Sequence, residues 1–168
     1  MTNPETFTFA DDGAIPNSRL PLLVYRQAVP PDADEIERIF TANRWPAAWR
    51  APVFSYHHFH SDAHEVLGVA QGETSVQFGG PRGRTMTVRA GDVVVVPAGV
   101  GHCRQSQSDG LVIVGAYPDN TAHRDLRRGD PAEHDEVVQN VASVALPAAD
   151  PVTGVGGPLL RLWSGSTL

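Results

Sequence analysis

Four of the seven histidines in this 168-residue chain lie between His57 and His64, and Glu65 follows directly. The stretch reads HHFHSDAHE, and it narrows the possible folds more than any other feature. His58 and His60 are two residues apart. Strand side chains alternate faces, so on a strand both imidazoles point the same way, with Cβ atoms roughly 6–7 Å apart. Two ring nitrogens at that separation can converge on one ion at about 2.0–2.1 Å each. Ser61–Asp62–Ala63 is small and polar, as a turn should be. Glu65 then opens the apolar run VLGVA, which reads as the returning strand. A histidine pair, a turn and a carboxylate heading the partner strand make a set of metal ligands.

A second stretch answers the first. Gly91 to His102 reads GDVVVVPAGVGH: a Gly-Asp turn, four valines, then Pro97, Gly99 and a lone histidine. A short β-branched run is a buried strand rather than a helix. Pro97 ends its ladder, and the glycines permit the tight backbone path that delivers His102 to the next strand.

The two stretches together resemble the paired motifs of the cupin superfamily. The first motif, G-x5-H-x-H-x(3,4)-E-x6-G, runs from His58 through Glu65 to Gly72, with Pro52 at its opening glycine. The second, G-x5-P-x-G-x2-H-x3-N, runs from Gly91 through Pro97 and Gly99 to His102, with Ser106 at its closing asparagine. Neither departure falls on a ligand position. The variable gap admits either His64 or Glu65 as the third ligand, and the count of six residues from Glu65 to Gly72 favours Glu65. The wording of IPNSRLP, HEVLGV and PAGVGH is similar to that of a single-domain prokaryotic cupin group of unestablished function. The resemblance implies an all-β fold, a double-stranded β-helix or jelly-roll barrel over about residues 52–117. It also implies metal ligands His58, His60, Glu65 and His102, one divalent transition metal ion (iron, manganese, nickel or zinc), and pairing of outer strands in a homodimer.

Composition fits one cupin domain over residues 1–168. Hydrophobic content is 41%, with 16 glycines and 14 prolines, as in a turn-rich β protein. A formal charge of −6 without any basic cluster argues against nucleic acid or an anionic membrane as partner. All 13 basic residues are arginine, which excludes a lysine Schiff base. No apolar run reaches membrane-spanning length and no secretory leader opens the chain, so a cytoplasmic location is expected. Cys103 is the sole cysteine, which allows no internal disulfide. It follows His102, so alternation turns it away from the metal as an inert thiol.

Taken in order, residues 1–5 are expected to be loose. Phe7 and Phe9 alternate before a turn at Asp11–Asp12–Gly13, and Leu22–Ala28 is a strand. Asp32 caps a short helix near 32–42, with Ile36, Ile39 and Phe40 on one apolar face. Trp45, Pro46 and Trp49 read as a plug between helix and barrel, with an aromatic pocket wall as the functional alternative. If His58 and His60 face inward, so do Phe54 and Tyr56, while Val53, His57 and His64 face out, the two histidines at the surface or an interface. Pocket-lining candidates are therefore Trp49, Phe54 and Tyr56. Gln77 joins them with its parity left open, because Val76 and Phe78 compete for the interior. Strands follow at Thr74–Phe78, Thr85–Arg89 and Leu111–Tyr117. The C-terminal region, 118–168, is polar enough at first to pass for disordered. A helix near 131–141 starts at Asp130–Pro131. His123 and His134 read as solvated. The end, DPVTGVGGPLLRLW, is irregular but apolar, and should pack on the barrel or on a second subunit.

Three neutral imidazoles and one carboxylate leave a divalent ion with one net positive charge and open positions. The leading reading is a metal-dependent enzyme of dioxygenase or isomerase type, acting on a small oxygen-rich substrate. The alternative is a non-catalytic cupin that binds a small ligand or metal. A metal-free epimerase is disfavoured, since no second His–Asp pair is evident. No catalytic residue beyond the ligands is assigned.

Overall fold

A computed structural model describes residues 3–165, so Met1 and Thr2, expected to be loose, lie outside the described residues. Along it run β1 (Glu5–Phe7), β2 (Leu22–Tyr25), α1 (Ala33–Ala42), β3 (Ala47–Arg50), β4 (Glu65–Gln71) and β5 (Glu73–Phe78). Then come β6 (Arg84–Arg89), β7 (Val93–Val96), β8 (His102–Gln107), β9 (Val112–Ala116), α2 (His134–Ser143) and α3 (Pro158–Ser164). Six strands form one sheet in the order β1-β2-β7-β4-β9-β3, and β6-β5-β8 form the second. Neighbouring strands pair antiparallel throughout. This is the all-β jelly roll expected from the motifs, with short helices where they were placed. Among the described residues no helix is long and apolar enough to cross a membrane.

The valine run shows why the middle strands lack polar alternation. Val94 and Val96 face the second sheet and pack with Leu22, Leu67, Val69 and Phe78 in the barrel interior. Val93 and Val95 face the other way, into a layer with Phe40, Trp45, Leu159 and Trp163. A strand covered on both faces must be apolar at every position. β4 obeys the same rule: Leu67 and Val69 point into the barrel, Val66 and Ala70 into the outer layer.

The outer layer is built from the helices. Asp32 caps α1 by accepting from the Glu35 N–H at 3.0 Å. Ile36 and Phe40 then bury on β4 at Gly68, where a Cβ would come within 2.7 Å of Ile36 Cγ2. The C-terminal segment, expected to be irregular, forms α3 because Pro158 opens a helical turn and Leu159 and Trp163 share one buried face. Trp163 Nε1 donates to the Pro21 carbonyl at 2.9 Å. The apolar tail therefore packs on its own barrel.

Three boundaries differ from the sequence reading. Glu5 belongs to β1, paired with Val24. β2 stops at Tyr25, since Gln27 takes a positive φ of 47° that no strand tolerates. The Trp45–Trp49 segment is not wholly a plug. Trp45 is buried under α1, but Ala47–Arg50 adds to the sheet as β3 along β9.

Asp92 ties β2, β6 and β7 together at one turn. Its carboxylate accepts from the backbone N–H groups of Gln27 (2.9 Å) and Arg89 (3.0 Å) and from Arg26 (3.1 Å). Burial alone would raise its pKa, but these donors hold it below the ordinary aspartate range. A depressed carboxylate stabilises the fold fully above its unfolded pKa of about 3.9, and that contribution is lost as pH falls through the folded value. Asp92→Asn should thus be less stable at pH 7 by about 1–3 kcal/mol, with a flatter loss of stability between pH 5 and 2. Urea unfolding across that range checks both.

Candidate metal centre

The histidine pair does not sit on a regular strand. A bend at Ser55–Tyr56 interrupts the segment, and beyond it only single bridges form, His58 with His102 and Phe59 with Arg127. His58 and His102 exchange both backbone hydrogen bonds (3.2 and 2.9 Å), so their side chains leave the backbone as direct neighbours. Their ring centroids are 4.0 Å apart. The His60 carbonyl accepts from Gly99 N–H at 2.8 Å. Gly99 needs to be glycine there: its φ is 89°, and a Cβ would lie 2.4 Å from the Asn17 carbonyl oxygen.

Glu65 heads β4 on its inward face and is 3% exposed. Its Oε2 lies 3.3 Å from His60 Nε2 and 3.1 Å from His102 Nε2. The ligand atoms of these three residues all lie within 4.8 Å of one another, and together they could hold a metal ion. The other ring nitrogens face backbone carbonyls: His102 Nδ1 that of Val100 (3.1 Å), His58 Nδ1 that of Tyr56 (2.9 Å), His60 Nδ1 that of Asp125. A nitrogen facing a carbonyl carries the proton, so in the neutral rings each Nε2 is a bare lone pair. Glu65 Oε2 is buried with no hydrogen-bond partner. With both rings neutral, two lone-pair nitrogens and a carboxylate oxygen converge away from water as a donor set that a cation satisfies; without a cation, a proton on His60 takes that place.

The charges answer to one another. Burial would depress the His60 pKa, but the Glu65 carboxylate lifts it to about 9. Burial would likewise raise Glu65, yet His60 and His102 hold it well below the usual carboxylate range. Burial, reinforced by neighbouring His102, pushes His58 down to about 3, so it is neutral at neutral pH. Glu65 Oε1 accepts from Tyr117 OH at 3.1 Å, and that hydroxyl accepts from Trp49 Nε1 at 3.1 Å. Burial and the Glu65 charge both raise the Tyr117 pKa, so the phenol keeps its proton.

The centre lies at the base of a cavity of about 300 Å³. Of the expected residues, His58, Trp49 and Phe54 line it, although His58 is not among the three whose ligand atoms converge. Tyr56 does not line it. The bend breaks the alternation, so Val53, expected outside, is buried in the barrel, while Phe54 is half exposed at the rim. Tyr56 instead stacks on Phe54 beneath the Arg128 guanidinium. Gln77 also points away: Val76 and Phe78 take the interior, and its amide donates to the Pro81 carbonyl at 3.1 Å.

His64 is buried, contrary to the surface position expected for it. It shares its face with Val66, and that face is roofed by α3. Its Nδ1 accepts from Ala98 N–H at 2.9 Å, and its ring lies 4.7 Å from Trp163. His57 is half-buried and His123 exposed, while His134 pairs with Asp11 at 2.8 Å. Cys103 lies outside the ligand group, with its thiol pushed up by burial. The sequence reading missed Tyr117, Arg124, Asp125 and Leu126, which all line the cavity. The last three belong to the stretch that read as disordered. It is fixed by the Asp125 carboxylate, which accepts from Ser61 N–H (2.6 Å) and Ser61 Oγ.

The cupin family model matches residues 55–145, a span that includes the whole centre. The chain belongs to the cupin family. This cupin is 44% identical over 160 residues to "Uncharacterized protein YjlB" of Bacillus subtilis (strain 168), covering 95% of this chain and 96% of that one. Solved structures similar to it include oxalate decarboxylase of Lactobacillus farciminis in a formate complex, at 21% identity and TM-score 0.41 over 74% of this chain and 33% of that one. Another is protein NMB1881 of Neisseria meningitidis, at 19% identity and TM-score 0.35 over 68% and 82%. Procruciferin of Brassica napus matches at 16% identity and TM-score 0.41 over 64% and 27%. The chain thus spans about a third or less of the decarboxylase and the globulin.

Tyr117→Phe would leave Glu65 Oε1 and Trp49 Nε1 unpartnered in a buried site. The variant should lose about 1–3 kcal/mol of stability, measurable by urea unfolding of the metal-free protein.

Proposed function

We propose that this cupin is a metal-dependent enzyme of dioxygenase or isomerase type that acts on a small oxygen-rich substrate. One divalent transition metal ion would be held by His60, Glu65 and His102, with His58 as the fourth ligand. The observation that carries this reading is the buried Glu65 Oε2, unpartnered by hydrogen bonds and facing two Nε2 atoms at a cavity floor. His58 supports the fourth position: its Nδ1 is tied to a carbonyl and its neutral ring lines the same cavity. A divalent ion bound there would supply Lewis acidity toward a substrate oxygen, with one net positive charge remaining.

The chain's own groups serve that chemistry. Tyr117 holds one carboxylate oxygen of Glu65 so that the other faces the histidines. Trp49 and Leu67 present apolar surface beside the ligands and keep water out. β1 and β3 are the edges of the larger sheet, and a homodimer would form through such outer strands.

One observation favours the second reading, a non-catalytic cupin that binds a small ligand or metal. The remaining titratable groups of the cavity are largely engaged. Tyr117 OH bonds Glu65 and Trp49, and the Asp125 carboxylate bonds Ser61 and Arg127. Aerobic assay of the iron-loaded protein against dicarbonyl and catechol-like compounds separates the two: substrate loss supports the enzyme, and saturable binding without turnover supports the binder.

Calorimetric metal titration tests the ligand set. Glu65→Gln should weaken affinity by at least roughly tenfold, and His64→Gln should leave it within about twofold. The reverse ranking contradicts the proposal.

A further inference from the structure

Among the described residues, Arg124 is the only arginine that lines the metal cavity. Its guanidinium carbon lies 4.5 Å from the centroid of the Tyr117 ring, and that ring is 5.8 Å from the His60 ring. A guanidinium laid on an aromatic face is held in orientation while its N–H edges stay open to a ligand. Arg124 has no ion-pair partner among the described residues, whereas nearby Arg127 meets Asp125, Glu133 and Glu136. The two carboxylates that line the cavity do not neutralise Arg124. Glu65 is engaged by His60, His102 and Tyr117, and Asp125 by Ser61 and Arg127.

The cavity also carries exposed apolar side chains. Phe54 is 50% exposed and Leu126 48%, and both line this cavity. One precedes the histidine pair and the other follows β9, so they approach the opening from separate parts of the chain. Exposed apolar side chains flanking a concave site gain stability when a ligand covers them.

From these features, and resting on the metal-site reading above, we infer that the cavity takes a monocarboxylate with an apolar tail. Arg124 recognises the carboxylate, and Phe54 and Leu126 receive the tail. A bound divalent ion with one carboxylate ligand contributes one net positive charge and Arg124 another, so the polar end of the cavity favours an anion. A planar guanidinium matches a carboxylate with two parallel N–H···O bonds. The cavity volume of about 300 Å³ restricts the ligand to a small molecule.

Calorimetry on the manganese-loaded protein, with phenylacetate, phenylacetamide and acetate as probes, tests the inference. Phenylacetate should bind at least roughly tenfold more tightly than either of the others, since the amide lacks the charge and acetate lacks the tail. Arg124→Met should bring phenylacetate down to the level of the amide and leave manganese affinity within about twofold. Phe54→Ser with Leu126→Ser should narrow the gap between phenylacetate and acetate. Equal affinity for phenylacetate and phenylacetamide overturns the inference, as does equal affinity for phenylacetate and acetate. Both comparisons use the unsubstituted protein and do not depend on a variant folding. Failure of that protein to take up manganese, read before any probe is added, overturns the metal reading and this inference with it.

Discussion

The structure depends on a carboxylate that is almost wholly removed from water. An isolated buried charge costs several kcal/mol, and it persists only where opposite charge or good donors surround it. Glu65 meets that condition through the positive charge that His60 carries in the metal-free protein on one oxygen, where His102 Nε2 also lies at 3.1 Å, and through Tyr117 on the other. Each partner reaches it from a different element. His102 opens β8, Tyr117 follows β9, and His60 ends a non-ladder segment held between β8 and the chain near Arg127. The carboxylate is therefore a point where distant parts of the chain are tied, and a cation at the same point would tie them more strongly.

The double cover on the larger sheet is what makes such a site possible. β4 and β7 carry apolar residues on both faces, so the parity of each residue decides which of two dry layers it enters. His64 and Glu65 are sequence neighbours with opposite parity. One enters the helix-covered layer beside Trp163, and the other enters the barrel. A one-residue slip in β4 would exchange them, placing an imidazole in the metal site and a carboxylate under α3. The pairing of β4 with β7, from Glu65 opposite Val96 to Gly68 opposite Val93, is thus a chemical requirement as well as a packing one.

Much of this was legible because it is written in local spacing. The count from Glu65 to Gly72 placed the acid, the N-cap at Asp32 placed α1, and the valine run placed a buried strand. What was not legible depends on partners far along the chain. Alternation from His58 back to Phe54 assumes a continuous strand, and the bend at Ser55–Tyr56 removes that assumption, burying Val53 and turning Tyr56 away. His64 read as a surface residue because a polar side chain at outward parity usually meets water. The roof over it comes from Trp163, about a hundred residues later. The stretch around Arg124–Leu126 read as disordered because its composition is charged, yet Asp125 is held by the Ser61–Asp62 turn and Arg127 by Glu136 of α2 and Glu133 before it. Those residues complete the cavity, and polar composition alone does not reveal them.

The central claim is that Glu65, His60 and His102 form a metal site, and anomalous X-ray diffraction from crystals soaked in manganese or zinc tests it most directly. The account predicts one strong anomalous peak at the cavity floor, about 2.0–2.3 Å from His60 Nε2, His102 Nε2 and a Glu65 oxygen. A peak bonded instead to His64 or His123, or no peak at the floor with metal bound elsewhere, would contradict it.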